Sequence, residues 1–587
     1  MCGIAGMMTL NGEAPALSYL QGMEKALAHR GPDGNGHYRT ADVGMVQTRL
    51  AIIDLANGDQ PLYEPGGAAL MANGEIYNYR ELHAEVPQAQ FATGSDCELP
   101  LHLYRKFGLD FPRHLRGMYA IALHDPAAGR LVLTRDPFGI KPLYYAETAQ
   151  GFAFASEAQA LIHGGVVPVE LVRQSRNELL QLQFTTGRDT IFAGIRRVLP
   201  GETIVVTKGR IVERRRLDAL SSKPTVAISE EDAMAEFDRV FAESVMLHQR
   251  ADVPYGMFLS GGIDSASVLA MMARLNERPV QAFTIGFSNT EAHDERAAAR
   301  AIAAEFRAEH VEIEFRESDF WTLLPAIAHV MDDPAADYAI LPTYKLAATA
   351  HEAGLKVILS GEGGDELFAG YGRYRSVARP WWAGGKLLRA RGNLDKLGLL
   401  RGDLAGWRDG IAMSELHAQR DDRSRLQIAQ ATDCEDWLPN DLLTKLDRCL
   451  MAHGVEGRTP FLDPAVAAFA FSLPDELRVK RSLGKYLLRS WLAGQSRAVE
   501  PMSKKRGFTV PVGEWIAKRG AQLGPLVAAQ PGVREICLPN MVEKLFLTAG
   551  EKRQGFAAWT LLFYALWHRD HIQNLPPAPD VFAALAR

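Results

Sequence analysis

Two stretches of the chain carry residue types able to do covalent or phosphate chemistry. Near the middle, Met257-Phe258-Leu259-Ser260-Gly261-Gly262-Ile263-Asp264-Ser265 is an apolar run that breaks at Ser-Gly-Gly, and a segment rich in Ala, Val and Met follows. That order predicts a strand, a phosphate-cradling loop and a helix. The bare glycine N–H groups, the Ser260 and Ser265 hydroxyls and the positive helix end can converge on a polyphosphate, with Asp264 placed to hold a divalent cation. Taken alone, the stretch is equally an ordinary strand-to-helix turn. At the other end of the chain, Cys2 directly follows Met1. Once Met1 is removed, Cys2 carries a thiol and an α-amine on one residue. An amine with a reference pKa of roughly 7.7–8 can act as the base without a His partner.

The residues behind Cys2 suit a free amino-acid amide. His29-Arg30-Gly31-Pro32-Asp33-Gly34 reads as a turn and Gln47-Thr48-Arg49-Leu50-Ala51-Ile52-Ile53-Asp54 as an alternating strand. Met71-Ala72-Asn73-Gly74-Glu75-Ile76-Tyr77-Asn78 reads as a strand broken by Asn-Gly, and Gly94-Ser95-Asp96-Cys97-Glu98 opens a helix. Arg49 can clamp an α-carboxylate, Glu75 and Asp96 can bind an α-ammonium, and Asn73 with the Gly74 N–H can stabilise an oxyanion. Each has a plainer alternative: a hairpin turn for Asn-Gly, a surface charge for Arg49, a helix cap for Ser-Asp. Together with Arg135-Asp136-Pro137-Phe138-Gly139-Ile140-Lys141-Pro142-Leu143-Tyr144-Tyr145 and Phe154-Ala155-Ser156-Glu157, these segments resemble the class II glutamine amidotransferase domain. The resemblance implies a four-layer αββα sandwich of the N-terminal-nucleophile kind. It makes Cys2 the nucleophile and Asn73 and Gly74 the oxyanion hole. Arg49, Leu50, Ala51, Ile52, Ile53, Asn73, Gly74, Glu75 and Asp96 become the glutamine pocket.

Strand and helix patterns alternate from 229 onward. Ser229 to His248 reads as a helix, Val280 to Phe287 as a strand, His293-Asp294-Glu295 as the cap of a helix running to about Ala308. Val311-Glu312-Ile313 is a further strand, Trp321 to Val330 a helix, and Lys356-Val357-Ile358-Leu359 a strand that ends in Ser360-Gly361-Glu362-Gly363-Gly364-Asp365-Glu366. Such alternation predicts a parallel, doubly wound sheet with ligands at the carboxyl ends of its strands. An acidic glycine loop facing a phosphate loop is repulsive without a metal, so Asp264 and Asp365 are suited to Mg²⁺ on a triphosphate. Either loop could be a tight turn. Both loops, Arg458-Thr459-Pro460-Phe461-Leu462-Asp463 and Gly484-Lys485-Tyr486-Leu487-Leu488-Arg489 resemble the pyrophosphate-loop ATPase domain of the glutamine-hydrolysing asparagine synthetases, with the same domain order. The resemblance implies ATP contacts at Leu259, Ser260, Gly261, Gly262, Asp264, Ser265, Ile285, Ser360 and Gly361, with Glu362 at the acyl-adenylate site and Lys485 stabilising charged transition states. It implies a carbon–nitrogen ligase that uses ATP, Mg²⁺, glutamine and aspartate and yields asparagine, glutamate, AMP and pyrophosphate through a β-aspartyl-adenylate. Another carboxylate, such as a sugar acid or a peptide, is the alternative acceptor, and Glu456-Gly457 stands where the family commonly shows an apolar residue. An amide-forming cyclase would not need Cys2 or the glutamine pocket. A sensor without turnover would not need Glu362.

These elements predict a two-domain protein: an N-terminal αββα sandwich over 1–205, a connector over 206–228, and a doubly wound parallel α/β domain with added helices over 229–587. A chain of 587 residues exceeds one core, and 47% apolar residues suffice for ordinary globular domains. The net charge of −5 gives no electrostatic case for nucleic acid or membrane as partner, which leaves small molecules. No apolar stretch reaches about 18 residues and no signal-peptide pattern is present, so the cytoplasm is the expected compartment. Five cysteines without paired spacing suggest neither a disulfide framework nor a zinc site. Trp381 to Cys449 reads as helical with charged faces. The basic run Ser503-Lys504-Lys505-Arg506-Gly507-Phe508 suits phosphate or solvent, and 540–587 a helix and a Pro-rich tail. A homodimer is a family expectation.

Overall fold

A computed structural model describes residues 2–220, 225–379, 382, 384–503, 507 and 509–586. Ser221 to Pro224 of the expected connector, Trp381, and Lys504, Lys505, Arg506 and Phe508 of the basic run lie outside the described residues.

Strand periodicity builds the N-terminal half. Two six-stranded antiparallel sheets face each other. The first runs Arg196–Arg197, Tyr144–Glu147, Gly151–Ala155, Cys2–Thr9, Val43–Arg49, Gly34–Arg39, and the second Arg210–Arg216, Glu202–Thr207, Arg130–Arg135, Gly117–Asp125, Ala69–Ile76, Leu62–Tyr63. Successive side chains of a strand alternate between faces. In Cys2–Thr9, Ile4 and Met8 join the core between the sheets, while Ala5 and Met7 pack with Leu20, Met23 and Leu27 of the helix Leu17–Leu27. In Ala69–Ile76, Ala69 and Met71 face the same inter-sheet core, and Leu70, Ala72 and Ile76 pack with Leu99, Leu101 and Leu103 of the helix Leu99–Phe107. The αββα sandwich expected from the sequence is thereby present. The same alternation sends Cys2, Asn73 and Glu75 toward the inter-sheet layer, and Val43 and Met45 predict the same direction for Arg49. Asn-Gly does not break its strand or form a hairpin: Asn73 and Gly74 pair with Ala120 and Tyr119 within one ladder. A Cβ on Gly74 would lie 2.1 Å from the Met118 carbonyl oxygen, so only glycine fits this close approach.

The sandwich does not stop at 205. Arg210–Arg216 pairs with Glu202–Thr207 as the edge hairpin of the second sheet, which places the end of this unit at Arg216 and shortens the connector.

The second half contains a five-stranded parallel sheet in the order Glu309–Glu314, Gln281–Gly286, Tyr255–Phe258, Val357–Leu359, Glu456–Arg458. The chain starts at the central strand Tyr255–Phe258, adds two strands on one side, then crosses to add Val357–Leu359 on the other. Strand order therefore reverses beside Tyr255–Phe258, and the carboxyl ends at that switch point are Leu259-Ser260-Gly261-Gly262 and Ser360-Gly361. Helices Ile263–Leu275, Arg296–Glu305, Glu317–Val330 and Ile340–Glu352 connect the strands as doubly wound topology requires. The stretch expected to be helical from 381 to 449 is so only in part. Asp409–Ala418, Arg425–Thr432 and Thr444–Met451 are α-helices, Asp433–Leu443 is a π-helix, and 384–408 carries no helix.

Buried charge joins the halves. Arg197 donates from Nε to Asp333 Oδ2 at 2.7 Å and from Nη2 to Asp333 Oδ1 at 2.6 Å, each side chain only 3% exposed. Arg30, wholly buried, donates to Glu157 of its own half at 2.7 Å and to both carboxylate oxygens of Asp447 in the other, at 2.8 and 3.1 Å. Arg448 answers with bonds to Asp332 at 2.6 Å and Tyr144 at 3.2 Å. Removing one member of such a pair strands the other in low dielectric. Arg197→Met should therefore cost about 3–5 kcal/mol of stability, read as a lowered midpoint in chemical denaturation. A change within error would mean that the seam does not hold the halves together.

Candidate active site

Cys2 and Asn73 meet between the sheets. The Cys2 N–H donates to Asn73 Oδ1 at 3.2 Å, and Asn73 Nδ2 is buried with no hydrogen-bond partner. A buried amide donor without an acceptor costs free energy unless something transient uses it. Beside a thiol, such a donor is suited to the oxyanion of a tetrahedral intermediate. Burial pushes the Cys2 thiol up, so the nucleophile rests as the neutral thiol until a base takes its proton. The Arg30 guanidinium fixes the strand start from outside by donating to the Cys2 carbonyl at 3.3 Å.

The acidic members of the pocket form a strained set. Asp96 accepts from the Ile76 N–H at 2.6 Å, and burial pushes its carboxyl up to about 6. Burial, with Asp96 and Glu456 nearby, lifts Glu75 well above the ordinary carboxylate range. A cation placed beside them would lower both. Arg49 sits opposite Cys2 in the ladder, but its guanidinium is engaged by the adjoining loop: Nη1 donates to Asp59 at 2.7 Å and Nη2 to the Asp54 carbonyl at 2.7 Å. Asp59 is 76% exposed, so a substrate carboxylate can replace it on the guanidinium at small cost. Leu50, Ala51, Ile52 and Ile53 are buried, with Ala51 N donating to Asp33 at 2.8 Å.

The two glycine loops of the second half close on each other. A Cβ on Gly361 would lie 2.9 Å from Asp264 Cβ, and one on Gly364 would lie 2.5 Å from Asp264 Oδ1, so both glycines are required by the contact. The serines bond mainly to the loop itself: Ser260 Oγ and Ser265 Oγ are 2.9 Å apart, and the Gly262 N–H donates to Ser260 Oγ at 3.1 Å. Leu259, Ser260, Gly262, Asp264, Ser265, Ile285, Ser360 and Gly361 line one cavity of about 600 Å³, which Glu362 and Asp365 also line. Gly261 and Lys485 are not on that wall. Lys485 instead bonds Asp264 and lies 2.6 Å from Asp365 Oδ1. Burial lowers its pKa, but Asp264 and Asp365 outweigh this and hold it above the ordinary lysine value. Among the described residues no group of three or more His, Cys, Asp or Glu side chains is arranged to hold a metal ion. Two carboxylates on one cation still suit Mg²⁺, which takes one or two protein carboxylates and completes its shell with phosphate oxygens and water.

Sequence reasoning gave no role to three residues that the geometry makes prominent. Arg458, fully buried, reaches Glu75 Oε2 at 3.6 Å with its side chain, while its carbonyl accepts from the Ser360 N–H at 2.8 Å. One residue thus touches the acidic pocket near Cys2 and the start of the second glycine loop. Glu366, pushed up to about 8 by burial and by Asp365 and Glu362, accepts from Tyr371 at 2.8 Å on the cavity wall. Lys445, 3.1 Å from Asp337 and 3.6 Å from Glu362, brings a lysine to the same cavity. Lys445 has no local signal, because Asp337 and Glu362 lie far from it in the chain, whereas Arg458 and Glu366 lie within motifs whose spacing alone assigns them no role.

Comparison with known proteins adds to this geometry. Residues 1–216 match the glutamine amidotransferase domain model and residues 236–569 the asparagine synthase model. The chain is 30% identical over 620 aligned residues to asparagine synthetase (glutamine-hydrolysing) 1 of Bacillus subtilis, covering 98% of this chain and 97% of that one. It is 29% identical to the synthetase numbered 2 of the same organism, over 84% of this chain and 70% of that one. It is 31% identical to a protein of Gibberella zeae named amidase chry2, over 64% and 60%. Among solved structures, the glutamine phosphoribosylpyrophosphate amidotransferase of B. subtilis aligns with 53% of this chain and 81% of its own, at 16% identity and a TM-score of 0.28.

Asn73→Ala should lower glutamine hydrolysis by about 10²–10³ in kcat, the loss typical of one oxyanion donor, in a glutamate-release assay. An effect on KM alone would remove Asn73 from that role. Burial pushes the Asp96 carboxyl up to about 6, so if Asp96 holds the substrate ammonium as a carboxylate, kcat/KM for glutamine should fall as pH drops through about 6. Asp96→Asn should flatten that limb.

Proposed function

The chain belongs to the asparagine synthase family, with a glutamine amidotransferase domain ahead of the synthase domain, and on that premise we propose that it is a glutamine-hydrolysing asparagine synthetase. It is an ATP-using ligase that takes its amide nitrogen from glutamine. The observation that carries the reading is the pairing of Cys2 with an Asn73 whose amide donor is buried and unused.

In the first site, Cys2 Sγ adds to the side-chain carbonyl carbon of glutamine once Met1 is gone and the free α-amine can take the thiol proton. Asn73 Nδ2 and the Gly74 N–H receive the oxyanion. Collapse expels ammonia and leaves a thioester, which water hydrolyses to glutamate. Glu75 and Asp96 hold the substrate ammonium, and Arg49 exchanges Asp59 for its carboxylate.

In the second site, the acceptor carboxylate attacks the α-phosphorus of ATP and pyrophosphate leaves. Ammonia then adds to the acyl carbon and AMP departs. The order makes chemical sense, since ammonia and a free carboxylate form only a salt, whereas an acyl phosphate ester carries a leaving group. The loop before helix Ile263–Leu275 and the backbone at Ser360-Gly361 bind the nucleotide, and Lys485 meets the charge that develops on the phosphates. Mg²⁺ held by Asp264 and Asp365 would neutralise the triphosphate. Aspartate is the proposed acceptor. Ammonia released at Cys2 passes inside the protein to the second site, a route supported by the buried seam and by the direct link through Arg458.

Cys2→Ala should abolish glutamine-dependent synthesis and leave ammonia-dependent synthesis largely intact, measured as pyrophosphate release with aspartate and ATP. Equal loss of both would contradict two separate sites, and no pyrophosphate release from the native enzyme with aspartate would overturn the choice of acceptor.

A further inference from the structure

The glutamine pocket lies in the N-terminal half, yet a short segment of the other half holds it by bonds that no step above uses. Arg250-Ala251-Asp252 sits between the helix Glu230–His248 and the central strand Tyr255–Phe258. Its two ends grip the two arms of the pocket. The Asp252 N–H donates to the Ile52 carbonyl at 2.9 Å, and Asp252 Oδ2 accepts from the Asp54 N–H at 2.8 Å. Arg250 Nη1 donates to the Tyr77 carbonyl at 2.6 Å, and the same guanidinium binds both carboxylate oxygens of Glu81 at 2.7 and 2.6 Å. Tyr77 directly follows the strand Ala69–Ile76, which carries Asn73, Gly74 and Glu75.

Arg49 depends on the first of these arms. Its Nη2 donates to the Asp54 carbonyl at 2.7 Å and its Nη1 to the Leu55 carbonyl at 3.3 Å, so the turn at Asp54 sets where the guanidinium stands. That turn has to be held in place. Asp54 has a φ of 49°, in the left-handed region that a residue with a Cβ enters only at a cost. Its carbonyl also accepts from the Gly58 N–H at 2.9 Å, and its carboxylate accepts from the Gly94 N–H at 2.7 Å and the Asn57 N–H at 3.2 Å. Of these bonds at Asp54, the one to Asp252 crosses to the other half. A second clasp backs it: Asp33 Oδ2, which accepts from the Ala51 N–H, also accepts from Lys356 Nζ at 2.8 Å.

Resting on the glutamine-hydrolysing reading above, we infer that Asp252 is a positioning residue for glutamine, so that the synthase half helps to set the affinity of the N-terminal site. Asp252 holds Asp54, Asp54 holds Arg49, and Arg49 meets the substrate α-carboxylate. Neither Asp252 nor Asp54 lines the nucleotide cavity. The effect of Asp252 therefore belongs in the KM for glutamine, with the chemistry at Cys2 and the second site untouched. It is also limited in size, because Asp252 is exposed and water can take over part of its bond to Asp54.

The test compares Asp252→Ala and Asp252→Asn with the native enzyme in three assays. In glutamate release from glutamine, Asp252→Ala should raise KM about 3- to 10-fold and keep kcat within about twofold of native, as expected for one hydrogen bond that water partly replaces. Asp252→Asn should fall between, since its amide oxygen can still accept from the Asp54 N–H. Alkylation of Cys2 by iodoacetamide, which presents no α-carboxylate to Arg49, should stay within about twofold of native, as should ammonia-dependent pyrophosphate release. In an Arg49→Lys background, Asp252→Ala should add less than about twofold to KM, because the two residues act in series. An unchanged KM for glutamine, full additivity with Arg49→Lys, or a parallel loss in alkylation or ammonia-dependent synthesis overturns the inference and leaves the proposed function standing. If the native enzyme releases no glutamate from glutamine, both fall.

Discussion

A fully buried arginine needs acceptors, and Arg458 finds them in its own half of the molecule while its Nη2 faces Glu75 of the other. Its guanidinium takes Glu456 at 2.5 Å and the carbonyls of His248 and Arg250 at 2.8 and 2.7 Å, and approaches Glu75 at 3.6 Å. Its own strand pairs in parallel with Val357–Leu359, whose next residue is Ser360. Desolvating a guanidinium is expensive, and the cost is offset only while all those partners hold position. The acidic pocket behind Cys2 and the backbone that leads into the nucleotide loop are therefore set by one constraint. Arg30 with Asp447, and Arg197 with Asp333, repeat the pattern farther along the seam.

Polar atoms left without partners mark the places where ligands belong. Asn73 Nδ2, which lies beside the Cys2 backbone, is buried and unbonded. Burial, the largest cause, also raises the carboxyls of Glu75 and Asp96 although Arg458 is near both.

Local pattern made the strands legible, and with them the inner-facing positions of Cys2, Asn73 and Glu75, because alternation along a strand is a property of the strand alone. The glycine loops were legible for a similar reason: a loop that follows a strand and opens a helix announces itself over nine residues. The resemblance supplied roles that spacing could not. What stayed hidden depends on partners hundreds of residues apart. Arg30 and Asp447 are separated by 417 positions, and nothing near either one predicts their meeting. The hairpin Glu202–Thr207 with Arg210–Arg216 was divided at 205 because its second strand is Arg-rich and solvated, with a polarity that reads as linker.

The central claim is that the two sites work as one enclosed system, with nitrogen moving from the Cys2 site to the nucleotide site without entering solvent. Synthesis run with glutamine labelled with ¹⁵N at the side-chain amide, in a large excess of unlabelled ammonium, tests it directly. The account predicts product amide nitrogen that is predominantly ¹⁵N at a pH where free ammonia is scarce. Product label diluted to the bulk ammonium ratio would contradict it.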